Sequence, residues 1–321
     1  MPYSLVIACI DSRNPPETLA ALDGLAVAIH RVIGFAHDAA ELYRHADAII
    51  TELHPFDATR IAALDRCRII ACASTGYDYV DLQTAARRGI WVTNCPGYCT
   101  DEVATHTLAL ILSQARRLPQ ARSLARAGEW DPRPVRPLPH VRGQTLGLIG
   151  YGRIGSAVAA KARALGFRVL ACDPYVDESA MRAAGVTPAG RETVLRESDY
   201  VSLHTPLTDE TRDMIDSAAL KLMKPSAYLV NTARGALVVE AALLAAVRES
   251  RIAGAAIDVL RVEPPPAEHP FLHDDRIAVT PHSAWCSEES DQAVWEWAAG
   301  YVAAVLRGER PAAAVNEPLA G

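Results

Sequence analysis

Six consecutive residues, Gly150-Tyr151-Gly152-Arg153-Ile154-Gly155, constrain this chain more than any other stretch. They have the form G-x-G-x-x-G, follow the apolar run Thr145–Ile149 and open a helical pattern over Ile154–Leu165. Gly-rich hexads occur by chance in loops, so the strand before and the helix after are what give this one meaning. Gly150 permits a tight turn, Gly152 lets the backbone approach a pyrophosphate, and Gly155 allows close packing of helix on strand. The N–H groups and dipole at the start of such a helix attract a diphosphate. The next strand, Arg168–Cys172, ends at Asp173, 18 residues beyond Gly155. A carboxylate there accepts hydrogen bonds from a ribose and repels a 2′-phosphate, so NAD is favoured over NADP.

At 321 residues the chain exceeds what one core normally holds, and two domains of about 100–200 residues each are expected. Short apolar runs alternate with helical patterns throughout, the layout of parallel α/β sheets. Before residue 100, strands are expected at Leu5–Ile10, Ala48–Ile50, Ile69–Ala71 and Trp91–Thr93, and helices at Thr59–Leu64 and Asp81–Arg88. This half reads as a small flavodoxin-like domain. A helix starts near Thr100, which suits an N-cap ahead of Asp101 and Glu102, and Pro119 marks its limit. The proline-rich Asp131–Pro139 is a connector. From Thr145 on, strands are expected at Thr145–Ile149, Arg168–Cys172, Tyr200–Leu203, Tyr228–Val230, Ala255–Ile257 and Ile277–Val279, with a helix at Glu240–Arg248. A last helix, Glu288–Leu306, puts Val294, Trp297, Ala298 and Tyr301 on one face.

The net charge of −6 argues against a general nucleic-acid binder, since affinity for phosphate backbones rests on Lys and Arg. The seven cysteines are scattered and form no C-x-x-C pair, so neither a metal site nor a disulfide framework is suggested. Free thiols in a reducing cytosol fit better. The start lacks a basic signal-peptide region, and no run approaches the ~20 apolar residues of a membrane span. A cytoplasmic protein with no membrane partner is expected.

Each of the six later strands is followed at once by polar or turn residues: Gly150, Asp173, His204-Thr205-Pro206, Asn231-Thr232-Ala233-Arg234-Gly235, Asp258 and Pro281-His282-Ser283. In an open parallel sheet the carboxyl ends of the strands face one crevice, where ligands bind. Six groups distant in sequence are therefore expected to converge.

Asn231–Gly235 (NTARG), Asp258–Pro264 (DVLRVEP) and Thr280–Trp285 (TPHSAW) together resemble the D-isomer-specific 2-hydroxyacid dehydrogenases. The resemblance runs from Ser74-Thr75-Gly76-Tyr77-Asp78 through His204-Thr205-Pro206-Leu207-Thr208 to Trp285, and residues 1–60 add little. Tyr98–Val103 and Trp285 look closest to bacterial relatives of the C-terminal-binding proteins. The resemblance implies two Rossmann-like domains with a cleft between them. Residues 1–100 with 287–321 would form the flavodoxin-like substrate domain, and 101–286 the doubly wound NAD-binding domain. Hinges would lie near Thr100 and Ser287, and a homodimer is implied.

It further implies hydride transfer between NAD(H) and a D-2-hydroxy acid/2-oxo acid pair. His282 would take the hydroxyl proton in oxidation and, as imidazolium, protonate the carbonyl oxygen in reduction. Glu263 would accept a hydrogen bond from the other ring nitrogen, fixing the tautomer. Arg234 offers a planar fork to the substrate carboxylate or carbonyl. Ser74, Thr75 and Gly76 would bind the carboxylate through backbone N–H groups. Gly150, Gly152, Arg153, Ile154, Gly155, Asp173, His204, Thr205, Pro206, Thr232, Ala233, Arg234, Asp258, His282 and Thr75 would line the cofactor, with Asp258 on the nicotinamide amide. Trp285 either walls the substrate pocket or packs between domains.

Three departures stand out. Val239 replaces a capping Asp or Asn, Thr105 an acidic residue of the long linking helix, and Cys286 a Tyr. Two other readings share the scaffold: an NAD(H)-responsive binding protein similar to corepressors of this superfamily, and a phosphite- or formate-dehydrogenase-like enzyme.

Overall fold

The computed structural model describes residues 2–9, 19–34 and 39–319. The chain divides into two compact units, Met1–Tyr98 with Ser287–Gly321, and Cys99–Cys286. In chain order the first unit begins with β1 (Tyr3–Cys9), β2 (Val27–Ile33), α1 (Ala40–Arg44), β3 (Ala48–Glu52), α2 (Ala58–Ala62), β4 (Ile69–Cys72), α3 (Leu82–Arg87) and β5 (Trp91–Thr93). The second holds α4 (Thr100–Ala115), α5 (Leu118–Arg126), β6 (Thr145–Ile149), α6 (Arg153–Ala164), β7 (Arg168–Cys172), α7 (Glu178–Ala183), β8 (Thr187–Pro188), α8 (Arg191–Glu197), β9 (Tyr200–Leu203), α9 (Ser217–Leu222), β10 (Tyr228–Asn231), α10 (Glu240–Arg248), β11 (Gly254–Ile257) and β12 (Ile277–Val279). The chain then returns to the first unit as α11 (Glu288–Leu306).

The first unit is a five-stranded parallel sheet in the order β2-β1-β3-β4-β5, the flavodoxin-like arrangement. Strand periodicity assigns its two faces. Leu5, Ile7 and Cys9 of β1 pack toward α11, while Val6 and Ala8 pack with residues of α1, α2 and α3. Strand β2 escapes the hydrophobic pattern because it is an edge strand. Its sequence VAIHRVI is interrupted by His30 and Arg31, and its residues are mostly part-exposed. Ile10, expected to end β1, lies outside the described residues.

In the second unit seven parallel strands take the order β12-β11-β10-β9-β6-β7-β8. The order reverses beside β6, between β9 and β7, so the crevice of a doubly wound sheet lies at the end of β6. Both faces are covered. Leu146 and Leu148 of β6 join Val158 and Ala162 of α6 and Leu108 and Ile111 of α4, while Leu203, Leu229 and Ile257 join Leu195, Leu220 and Leu243 of α8, α9 and α10. Such strands read as continuous apolar runs because neither face meets water. Two-residue β8 is too short to leave a pattern.

Three local expectations are corrected. Thr100 is the first residue of α4 rather than its N-cap, a position held by Cys99 with no side-chain cap bond. Pro119 does not end α4, which stops at Ala115; it occupies the first turn of α5, where a missing N–H costs nothing. On α11 the inward tryptophan is Trp295, 1% exposed, with Trp297 at 41%. The buried set Val294, Trp295, Ala298, Ala299 and Val302 follows i, i+1, i+4, i+5, i+8, and residue 297 falls off that stripe. No helix among the described residues is long and apolar enough to cross a membrane.

Candidate active site

The glycine-rich turn sits at the end of β6, where the sheet order reverses. Gly150 has φ +98°, a left-handed value that side chains avoid, and a Cβ on it would lie 2.6 Å from the His204 carbonyl. A Cβ on Gly155 would lie 2.4 Å from the Gly150 oxygen. The missing side chains thus let the turn after β6 touch both α6 and the turn after β9. Gly152 is the N-cap of α6 without a side-chain cap bond, and a Cβ there would meet nothing within 4 Å. First-turn N–H groups with no side-chain cap beside open space suit a diphosphate. Arg153 and Ile154 follow in the first turn, the arginine exposed.

Asp173, at the end of β7, accepts from the backbone N–H of Tyr151 (2.8 Å) and of Tyr175 (2.9 Å). Its carboxylate therefore also shapes the glycine-rich turn, a duty not evident in the sequence. After β9, His204 Nε2 lies 2.9 Å from the Ser202 hydroxyl, and burial pushes the imidazole pKa down to about 4. Thr205 leans on the Met214 sulfur, and the Pro206 carbonyl accepts from the Thr211 hydroxyl.

Arg234, Glu263 and His282 come from the turns after β10, β11 and β12, which are neighbours in the sheet. His282 Nδ1 lies 2.6 Å from Glu263 Oε2, and Glu263 Oε1 accepts the Leu260 N–H at 2.6 Å. Burial works to raise the Glu263 pKa. The hydrogen bond and charge of His282, the Leu260 N–H and the Arg234 charge outweigh it and hold the carboxyl below its ordinary value. An ionised carboxylate only accepts hydrogen bonds, so Nδ1 of His282 carries the proton and Nε2 is the nitrogen left for exchange. The Arg234 guanidinium donates to the Ala233 carbonyl at 2.8 Å. The Asn231 side chain clamps its turn from both sides, donating to the Arg234 carbonyl (2.8 Å) and accepting from Ala233 N–H (3.0 Å).

His282 itself is strained, at φ +49°. Asp258 holds it there: its carbonyl accepts the His282 N–H at 2.8 Å. The Asp258 carboxylate, with no exposed side-chain surface, accepts from the Thr280 hydroxyl (2.5 Å) and from the N–H of Ser283 (3.0 Å) and Ala284 (3.0 Å). The structure gives Asp258 partners within the turn that carries His282, a role the motif alone did not suggest. Thr232 is buried and bonded to Thr107 of α4 at 2.8 Å. Trp285 is half-buried beyond buried Ala284.

Ser74, Thr75 and Gly76 belong to the first unit, at the end of β4. Ser74 donates to the Gly76 carbonyl (2.6 Å) and meets the Tyr79 hydroxyl (2.7 Å), and the Thr75 carbonyl accepts from the Asn94 amide (2.7 Å). Tyr79 and Asn94 shape this turn and were missed; neither stands in a motif.

Residues 108–284 match the family described as D-isomer specific 2-hydroxyacid dehydrogenase, NAD binding domain. The chain is 41% identical over 281 residues to a glyoxylate reductase of Korarchaeum cryptofilum, covering 86% of this chain and 85% of that one. It is 36% identical to a D-3-phosphoglycerate dehydrogenase of Archaeoglobus fulgidus, covering 87% of this chain and 53% of the relative. The crystal structure of a D-lactate dehydrogenase from Aquifex aeolicus, complexed with NAD and lactic acid, superposes with a TM-score of 0.90 at 28% identity, covering 98% of this chain and all of that one.

Proposed function

From the premise that this chain belongs to the D-isomer specific 2-hydroxyacid dehydrogenase family, with an NAD-binding domain at 108–284, we propose that it reduces a short 2-oxo acid to the D-2-hydroxy acid, with His282 as the acid/base. The observation that carries the reading is the 2.6 Å contact of His282 Nδ1 with a carboxylate held ionised. That contact leaves Nε2 to give a proton to the substrate oxygen in reduction and to take it back in oxidation. Bound NAD(H) supplies or accepts the hydride. Arg234 orients the substrate through its carboxylate or carbonyl, and the Ser74–Gly76 turn offers N–H groups to the carboxylate.

For the cofactor, the Gly150–Gly155 turn with Arg153 and Ile154 takes the diphosphate, and Asp173 takes the adenosine ribose. His204, Thr205, Pro206, Thr232 and Ala233 line the remainder. Asp258 acts by fixing the turn that carries His282. The similarity to a glyoxylate reductase supports a small substrate, with glyoxylate and hydroxypyruvate first on a panel. A homodimer fits the second unit: α5 buries none of its nine residues, and Leu118 at its start (54%) and Trp130 just beyond its end (93%) are exposed. Seven free thiols support a reducing, cytoplasmic setting.

The test is NADH oxidation with a panel of 2-oxo acids, alongside His282→Ala. The variant should lose turnover and keep NADH binding. Full turnover in the variant removes His282 from the mechanism, and tight NADH binding without turnover on any substrate replaces the enzyme with a binding protein.

A further inference from the structure

Two consecutive side chains of α4 reach two of the turns just described. His106 Nε2 lies 3.1 Å from the Thr280 hydroxyl and 3.6 Å from Asp258 Oδ1. Thr107 lies 2.8 Å from the Thr232 hydroxyl, two residues before Arg234. Hydroxyl bookkeeping fixes the direction of both contacts. Thr280 is 2.5 Å from an Asp258 carboxylate oxygen, a spacing that requires its single hydrogen to lie between them. Its oxygen can then only accept from His106, so Nε2 of His106 carries a proton. Thr107 gives its own hydrogen to the Val103 carbonyl at 2.7 Å and therefore accepts from Thr232.

We propose that α4 is the strut that positions both reacting side chains: His106, acting through Thr280 and Asp258, sets the His282 turn, and Thr107, acting through Thr232, sets the Arg234 turn. The inference rests on the reading of Arg234 and His282 as the groups that act on substrate.

The helix is suited to the task. Ion pairing of Lys161 with Asp101 (2.7 Å) ties its first turn to α6, and the Gln114 amide reaches the Ala255 carbonyl of β11 at 3.4 Å near its other end. Strut and turns thus share one frame, and His282, strained at φ +49°, relies on that frame to keep its orientation. His106 touches no reacting atom; it is a positioning residue. The side chain is 24% exposed, so it can be replaced without opening the core.

The test compares His106→Leu, His106→Gln, Thr280→Val and the His106→Leu/Thr280→Val double variant in NADH-dependent reduction of glyoxylate, with NADH affinity by fluorescence titration and imidazole NMR of the wild type. His106→Leu should lower kcat about 10- to 100-fold, the scale of a sub-ångström to 1 Å misplacement, with KM for NADH changed less than about twofold. Glutamine, which also presents a donor, should restore most of the loss. The double variant should be no worse than His106→Leu, because both break one chain. NMR should find the His106 proton on Nε2. Wild-type kcat in His106→Leu, losses that multiply in the double variant, no rescue by glutamine, or a proton on Nδ1 alone would each overturn the strut. His282→Ala, run in parallel, separates the two claims. Its full activity defeats the catalytic reading, whereas an inactive His282→Ala beside a fully active His106→Leu defeats only the strut.

Discussion

Gly235, the residue after Arg234, is where the geometry sets the sharpest limit on the site. A Cβ there would stand 2.1 Å from the carbonyl carbon of Leu260, 2.2 Å from its oxygen and 2.4 Å from Arg261 N. Ordinary contact starts at 3.4 Å, so Gly235→Ala forces two backbones apart by about 1.3 Å in a close-packed region. The residue has no left-handed φ, so alanine suffers from contact alone and not from its own dihedral. Neither side yields freely. Asn231 holds the Arg234 turn, while Glu263 takes the Leu260 N–H and Glu240 takes the Arg261 N–H at 2.8 Å. The displacement therefore falls between Arg234 and Glu263, and reaches His282 through its carboxylate bond. Overpacking of this kind costs about 1–3 kcal/mol of stability, and misplacement of a reacting group by about 1 Å costs on the order of 100-fold in rate. Urea unfolding and steady-state 2-oxo acid reduction measure the two effects. NADH affinity should survive, because the glycine-rich turn lies after β6. Gly235→Ala with wild-type kcat and an unchanged unfolding midpoint would refute the claim that these two turns are locked at van der Waals contact.

Gly300 offers the opposite case. It lies inside α11 with nothing within 4 Å of its would-be Cβ, so Gly300→Ala should stabilise the protein by roughly 0.5–1 kcal/mol and raise Tm by calorimetry. Glu263→Gln keeps an acceptor for Leu260 but can present an amide N–H to Nδ1, shifting the His282 proton to Nε2; kcat should fall by at least about 100-fold, checked in both directions of the reaction. Because the native pKa of Glu263 is depressed, its contribution to stability is present above its ordinary value of 4.5 and lost as pH falls below it. His54 and His204 are both pushed down to about 4 from 6.5, chiefly by burial. Between those values the folded protein binds fewer protons than the unfolded chain. Stability measured by urea titration should therefore fall as pH drops from 6.5 toward 4, and His204→Gln should flatten that slope.

Strands with apolar interiors are legible in the sequence even at a sheet edge, and a strand interrupted by polar side chains is not. Strands β5, β6, β7, β9 and β12 are read to the residue, because each is a short, mostly apolar run bounded by turn or polar residues. Edge strand β2 carries His30 and Arg31 without penalty, since only part of it is covered, and so leaves no such run. Helix α11 was readable in extent while its inward face was misjudged at Trp297. Two tryptophans two residues apart cannot share a helical stripe, and only the sheet beneath decides that Trp295 enters.

The same division runs through the site. The residues proposed to act on substrate, Arg234, Glu263 and His282, announce themselves by type in the turns after strands, because a carboxylate or imidazole there has few structural uses. Residues that hold them do not. Asn231, Asp258, Thr280, His106 and Thr107 are ordinary polar side chains, and what they do depends on partners up to 174 positions away. Asp258 stands in a motif, yet the motif gives no sign that its carboxylate is spent on Thr280, Ser283 and Ala284. Gly235 likewise reads as a turn residue until the Leu260 backbone is found against it. Activity should therefore be as sensitive to these supports as to the reacting groups. A substitution that spares Arg234, Glu263 and His282 but removes the Asp258 carboxylate leaves Thr280, Ser283 and Ala284 without an acceptor and frees a histidine held at an unfavourable φ. Such a site would retain all its chemistry and lose the geometry in which that chemistry operates.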